Sequence, residues 1–304
     1  MSAHAEFLRA ASNNKELASQ IKTDFRQAKL PERDFRMLEF VEKLTQIPWL
    51  LVESDIRLLR RTGFSDSEIL HIVLGSAHFN YLNRMADGIG IRFEYKSDIP
   101  QFEVPADGRA PEASTTPVQP ASSSKANRAA WIDFPETKDP EPRGDEPSNL
   151  FRVLAENPPV RDLAREWRDY QLRGTAILDA RKRAQIALFV SGLNRCGYSA
   201  SWFGKRLREL GAGELECQRL AEGKPPDSAA PVDSLVFEHA ERLTREPWTT
   251  RESHIQELRK NGLDDHAILQ LTMLCSYLSF ENRVALGLGL ALEEQIGKPS
   301  NTTR

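Results

Sequence analysis

Apolar residues recur at helical spacing along much of the chain. In residues 31–44 the apolar positions lie near one face of a helix, at Phe35, Leu38, Phe40, Val41 and Leu44. From Ile69 to Leu82 they cover most of the circumference, which is typical of a helix in the centre of a bundle. These stretches contain neither the alternation of a half-buried strand nor a hairpin turn. The pattern predicts an all-α fold, a helical bundle.

The pattern occurs twice. Residues 41–91 align with residues 240–290 without a gap, at an offset of 199 positions. The identical pairs are spread over the whole length and include Pro48-Trp49 with Pro247-Trp248, Asn83-Arg84 with Asn282-Arg283, and Gly88 and Gly90 with Gly287 and Gly289. A register this long without a gap indicates duplication of one structural unit. The same offset places Met1 opposite Ala200, so the first copy begins in the middle of the repeat.

Local signals predict where the helices of the repeat begin and end. Ser65 with Glu68 three residues later forms a capping box for the long helix, and Ser54 is the predicted cap of the helix before it. Gly63 is expected to end that preceding helix. The paired glycines near residues 88 and 287 are interpreted as helix ends and close-packing positions, and the paired arginines as ties between helix ends or across an interface.

Composition divides the chain into four parts. Residues 97–130 are rich in Pro, Ser, Ala and Thr and are predicted to be a linker, disordered in its middle. Residues 1–96 form the first repeat, residues 131–294 the second domain, and residues 295–304 a tail. Trp131, Ile132 and Phe134 are expected to form an extended segment that docks on the second domain.

Charge and composition exclude several classes of function. The net charge of −3 gives no reason to expect binding to nucleic acid or to an anionic membrane. No apolar run is long enough to span a bilayer, and residues 1–10 lack the features of a secretory signal. Three cysteines are too few for a disulfide framework, and the histidines do not complete a zinc spacing with them. We therefore expect a cytoplasmic protein without a metal or cofactor.

Several strings resemble the peroxidase-related branch of the alkylhydroperoxidase D and carboxymuconolactone decarboxylase-like family. In the second domain they are WIDFPETKDP, SNLFRVLAENPP, IALFVSGLNRCGYS and ENRVALGLGL; in the first they include AHAEFLRAASNN and FNYLNRMADGIG. The resemblance implies an all-helical, oligomeric, cytoplasmic protein whose family activity is thiol-dependent reduction of hydroperoxides. It also implies that residues 1–96 are the C-terminal half of a first copy, and residues 131–294 a complete second copy.

The family's chemistry uses a Glu, a Cys-x-x-Cys and a His in fixed order. The thiolate of the second Cys attacks the peroxide, the first Cys resolves the sulfenic acid to a disulfide, and Glu and His relay the proton. In the second domain the first Cys position is Cys196, but the second Cys position is Ser199. The Glu position is Ala184 and the His position is Phe203. One of four groups survives, so the motif is degenerate.

In the first copy the His position is His4, and the matching Cys-x-x-Cys would precede Met1. A start at an internal Met of a longer reading frame is favoured over loss of the half-domain. An encoded upstream Cys-x-x-Cys would then restore activity that depends on His4. Otherwise His4 is an exposed terminal residue.

Several of these residues also have a purely structural interpretation. Cys196 is either a remnant of the catalytic pair or a small packed residue, and Cys217 and Cys275 are interpreted as packing residues. The basic run Arg181-Lys182-Arg183 is interpreted as one solvated turn.

The sequence therefore predicts a peroxidase-related protein whose thiol chemistry is inactive in these 304 residues. The alternative is a non-catalytic oligomeric scaffold, regulatory subunit or small-molecule-binding protein, with the emptied pocket lined by apolar residues. Expected partners are further copies of the chain, with the two repeats paired as a pseudo-dimer, and a dithiol reductant if activity remains. Neither nucleic acid nor membrane is expected.

Overall fold

The computed structural model describes residues 2–91, 129–134, 148–174, 178–226 and 230–292, and every regular element within them is helical. The all-α prediction is confirmed for these residues. Of the predicted linker and tail, residues 97–128 and 295–304 lie outside the described part. The described helices are α1 Ser2–Ser12, α2 Lys15–Asp24, α3 Glu32–Gln46, α4 Glu53–Arg61, α5 Asp66–Ile89, α6 Ser148–Leu154, α7 Pro158–Leu172, α8 Ala180–Leu193, α9 Gly197–Glu209, α10 Glu214–Ala221, α11 Pro231–Arg245, α12 Glu252–Lys260 and α13 Asp265–Leu288.

The helices of the two copies have matching bounds. Helices α3, α4 and α5 begin and end 199 residues before α11, α12 and α13, and short 3₁₀ turns at Pro48–Leu50 and Pro247–Thr249 match in the same way. The long helices end alike, because Gly90 and Gly289 both adopt the left-handed conformation that terminates a helix. The sequence signals that begin and end these helices therefore act in the same way in both copies.

Helix starts agree with the sequence in one case and differ in another. Ser65 and Glu68 form the predicted capping box of α5. Helix α4, however, begins at Glu53 with Val52 at the capping position, so the prediction of Ser54 as the cap is wrong. The side chain of Asp55 accepts the Val52 N–H at 2.8 Å instead, which satisfies the exposed backbone donor from within the helix.

Helices α5 and α13 pack against each other, and glycine allows their close approach. A Cβ at Gly88 would lie 2.5 Å from the Thr272 side chain, and one at Gly287 would lie 3.0 Å from Val73. The two contacts are equivalent, since Thr272 is 199 residues beyond Val73 as Gly287 is beyond Gly88. The helix pair therefore has approximate two-fold symmetry within one chain.

A pair of buried arginines repeats this symmetry. Arg84 donates to the carbonyl of Thr244 at 3.2 Å, and Arg283 donates to the carbonyl of Thr45 at 2.8 Å. Each guanidinium thus crosses to the other copy and binds the end of its α11 or α3 helix. The interpretation of these arginines as ties between helix ends agrees with this arrangement, whereas a tie across a subunit interface stays untested.

The segment Ala129–Phe134 packs on both copies, not on the second domain alone as predicted. The Trp131 N–H donates to the Leu288 carbonyl at 2.8 Å, while the Trp131 carbonyl accepts from Arg60 of α4 at 2.9 Å. The indole ring lies directly over Gly289, where a Cβ would overlap it. Trp131 is only 4% exposed and joins the hydrophobic core of the first copy to the end of α13.

The apolar interior forms two large clusters. One is built mainly from α8, α9, α11 and α13, and the other joins the first copy to α6 and to the end of α13. Cys196 and Tyr198 belong to the second cluster, so the start of α9 faces the first copy. Within the described residues, none of the helices combines the length and the apolar character needed to cross a membrane.

Candidate functional site

Helices α8 and α9 carry the four positions of the degenerate motif. Ala184 lies on α8, Cys196 precedes the first residue of α9, and Ser199 and Phe203 follow on α9. The carboxylate of Asp179 caps α8 by accepting the Lys182 N–H at 2.7 Å. All four motif positions are buried, Ala184 within the nearly completely buried part of α8 and the other three at the start of α9 and along it.

Cys196 has the surroundings of a packed thiol. Its Sγ donates to Ser199 Oγ at 3.4 Å, and both side chains are buried. Burial raises the pKa of Cys196 to about 11, although the hydrogen bond with Ser199 acts in the opposite direction. The start of a helix favours a thiolate, but here desolvation outweighs that effect. Cys196 therefore remains protonated near neutral pH.

The other candidates do not join this group. Cys217 and Cys275 are buried, and burial raises the pKa of each thiol, in agreement with their interpretation as packing residues. His4 lies in α1, and its side chain falls outside the described part of the chain. Its role therefore stays a prediction.

A cleft opens between α7, the first turns of α8, and α9. Its volume is about 440 Å³, and its lining comprises Arg165, Arg168, Asp169, Leu172, Arg173, Ala180, Arg183, Ala184, Trp202, Phe203 and Arg206. Two motif positions, Ala184 and Phe203, thus face a cleft, whereas Cys196 and Ser199 do not line it. We refer to it as the arginine cleft.

The expectation of a pocket with an apolar lining is therefore wrong, because five of the residues that line the arginine cleft are arginines. Three of them, Arg165, Arg168 and Arg183, are buried, whereas Arg173 is exposed and Arg206 is half-buried. The sequence contains a signal for this: Arg165, Arg168 and Leu172 follow the three- and four-residue spacing of one helix face. Without the position of α9, that face is indistinguishable from a solvated one.

Arg183 stabilises the base of the arginine cleft. It donates to the carbonyl of Leu178 at 2.9 Å and to that of Gln171 at 2.7 Å, and a third bond goes to the Gln270 side chain. Burial lowers the pKa of Arg183. The interpretation of residues 181–183 as one solvated turn is wrong for Arg183, because it ties α7, α8 and α13 together.

Arg168 forms the wall of the arginine cleft. Its Nε donates to Glu281 at 3.0 Å, and the same carboxylate accepts the hydroxyl of Tyr277 at 2.7 Å. The guanidinium carbon lies 4.0 Å from the centre of the Trp202 ring, within the range of a cation–π interaction. Its buried Nη2 has no hydrogen-bond partner among the described residues.

Two ion pairs beside the arginine cleft are weak. Arg206 donates to Glu209 at 3.2 Å, and Arg165 lies 3.7 Å from Asp162. Both carboxylates are substantially exposed and lie outside the lining, so these pairs contribute little stability. No ion pair of Arg173 involves a described residue. The described residues contain no group of three or more His, Cys, Asp or Glu side chains that could hold a metal ion.

Comparisons with known proteins return structures only. No protein-family model matches the chain, and no curated protein matches it. The chain is similar to an uncharacterized peroxidase-related protein from Silicibacter sp. TM1040, with 20% identity over 58% of this chain and 99% of that one and a TM-score of 0.49. It is also similar to an alkylhydroperoxidase AhpD core, an uncharacterized peroxidase-related protein from Ralstonia eutropha JMP134. That match has 20% identity over 48% and 78% of the two chains and a TM-score of 0.45.

Proposed function

We propose that this chain is a duplicated peroxidase-related protein in which Cys196 does not reduce hydroperoxides. The proposal combines the sequence resemblance with one observation, the state of the Cys196 thiol. This thiol is buried, its pKa is raised to about 11, and its hydrogen-bond partner is a serine. The matching bounds of α3–α5 and α11–α13 support the duplication.

The chemistry fails at each step that the family requires. With a pKa of about 11, roughly one Cys196 in ten thousand is a thiolate at pH 7, and the thiolate is the nucleophile. At the second Cys position, where the resembled family has the thiol that attacks the peroxide, Ser199 supplies a hydroxyl, which cannot form a sulfenic acid. At the positions of the proton relay, Phe203 and Ala184 carry no titratable group.

The test is hydroperoxide turnover by the purified chain with a small dithiol as reductant. We expect the same rate from the native chain and from Cys196→Ala, because the thiol does not take part. Cys217→Ala is the matched control, since it also removes one buried thiol but lies outside the motif. Turnover that Cys196→Ala abolishes and Cys217→Ala leaves intact would contradict the proposal.

A binding role is the second candidate, and the arginine cleft is the observation that favours it. A concave site of about 440 Å³ falls within the range of small-molecule pockets. This role is compatible with the absence of a thiol reaction at Cys196, since it needs the cleft and not the cysteine.

A further inference from the structure

We propose that the arginine cleft binds a small organic anion, a carboxylate or phosphate group attached to an apolar body. The inference does not depend on the proposed loss of peroxide chemistry, but it rests on the binding role proposed above for the arginine cleft and names the ligand class. It rests on the charges, the shape and the aromatic wall of the cleft.

The charge of the lining calls for a negative ligand. Five of the lining residues are arginines, whereas one, Asp169, is acidic. Asp162, which lies 3.7 Å from Arg165, and Glu209, which pairs with Arg206, lie outside the lining and are exposed to solvent, where ion pairs are weak. Guanidinium groups bind carboxylates and phosphates through paired N–H donors, so the lining matches the geometry of both groups.

The arginines also differ in how free they are to bind. Arg183 uses its donors within the protein, and Arg168 is held by Glu281 and Trp202. Arg173 and Arg206 are the accessible pair, on opposite sides of the cleft at the end of α7 and on α9. We therefore assign the contact with the anionic group to these two residues, and a supporting charge to the buried ones.

The rest of the lining suits an apolar body. Leu172 and Ala180 supply apolar surface, and the half-buried ring of Trp202 adds an aromatic face. Ala184 and Phe203 also line the cleft but are almost completely buried. Ala184 stands where the resembled family has its Glu, so the cleft lacks the carboxylate that would repel an anion there. The concave shape and moderate volume favour a small molecule over a polymer.

The experiment is isothermal titration calorimetry of the full chain with four probes: naphthoate, naphthyl phosphate, neutral naphthamide and inorganic phosphate. We expect saturable binding of naphthoate or naphthyl phosphate to one site. The better of these two should bind at least about tenfold more tightly than naphthamide and than inorganic phosphate, because both the charge and the apolar body contribute. Whichever anionic probe binds better identifies the group as a carboxylate or a phosphate.

A double variant, Arg173→Gln with Arg206→Gln, tests the location. We expect it to weaken binding of the anionic probe at least about tenfold, since each lost guanidinium removes a charged donor. The control is Arg57→Gln with Arg245→Gln. Like Arg206, these arginines are partly exposed and paired with a Glu of the same helix, but they do not line the cleft.

Several results would overturn the inference. They are equal affinity for naphthamide and the better anionic probe, equal affinity for inorganic phosphate and that probe, or the same loss in both double variants. The absence of saturable binding to the native chain would overturn it as well. The peroxide assay tests the reactivity of Cys196, and the calorimetry tests binding in the arginine cleft. The two experiments therefore distinguish failure of the proposed function from failure of this inference.

Discussion

Substituting alanine at Gly289 and at Gly90 tests how Trp131 holds the fold together. The two glycines are equivalent positions of the repeat and both have positive φ, 59° and 67°. They differ in their surroundings, since a Cβ at Gly90 would meet open space and one at Gly289 would overlap the Trp131 ring. Comparing the two variants therefore separates the cost of backbone strain from the cost of displacing Trp131.

The magnitudes follow from these two contributions. An L-residue in the left-handed conformation costs about 1 kcal/mol, so Gly90→Ala should lower the free energy of unfolding by about that much. Gly289→Ala adds the displacement of a tryptophan that is 4% exposed. Removing a buried aromatic side chain costs about 3–5 kcal/mol, which sets the upper limit of the additional loss. We expect Gly289→Ala to destabilise the protein by about 3 kcal/mol more than Gly90→Ala.

Urea unfolding of the native chain and both variants, followed by circular dichroism, measures the difference. Tryptophan emission gives a second readout, because Gly289→Ala should shift it to longer wavelength as Trp131 becomes exposed, whereas Gly90→Ala should not. Equal destabilisation by the two substitutions, with unchanged emission, would refute the stabilising role of Trp131 at this position.

Two further predictions concern buried cations and a buried imidazole. Burial lowers the pKa of His239 from 6.5 to about 4, so the folded protein should lose stability as the pH falls from about 6.5 to about 4, by up to roughly 3 kcal/mol. His239→Gln should remove most of that dependence in urea unfolding at the two pH values, and an unchanged slope would contradict the assignment. Arg84→Met and Arg283→Met should each cost about 2–3 kcal/mol through lost bonds to the Thr244 and Thr45 carbonyls. The double variant should cost more than the sum of the two single variants. Burial and then the charge of Arg84 lower the pKa of Arg283, and each single variant already relieves the repulsion between the two arginines, so strict additivity would argue against that repulsion.

Much of the fold was predictable because it depends on local signals. The capping box at Ser65, the left-handed glycines and the apolar spacing of α3 and α5 each act within a few residues. The prediction of Ser54 as the cap was wrong because the side chain of Asp55, one residue further on, accepts the backbone N–H of Val52. Such competition between neighbouring polar residues is decided by geometry that sequence spacing does not contain.

The candidate site was less predictable, because it depends on distant partners. Burial of Cys196 comes from the first copy and from α6, which lie far away in sequence. Arg183 is buried, and one of its hydrogen bonds goes to Gln270, which lies 87 positions later in the sequence. The arginine cleft lies between α7, α8 and α9, so sequence spacing alone does not distinguish the arginines of α7 from those of an ordinary exposed face.

The proposed fusion of two copies into one chain would have an evolutionary consequence. In a dimer of identical subunits, a single substitution appears on both sides of the symmetry axis. Here each side of the α5–α13 contact can change independently. The two equivalent contacts already differ, since Val73 faces Gly287 whereas Thr272 faces Gly88. The two long helices have diverged accordingly: most of α13 is buried, whereas α5 leaves Phe79 and Leu82 exposed. One half of a symmetric assembly has thereby become its interior, and the other half is free to acquire a different surface.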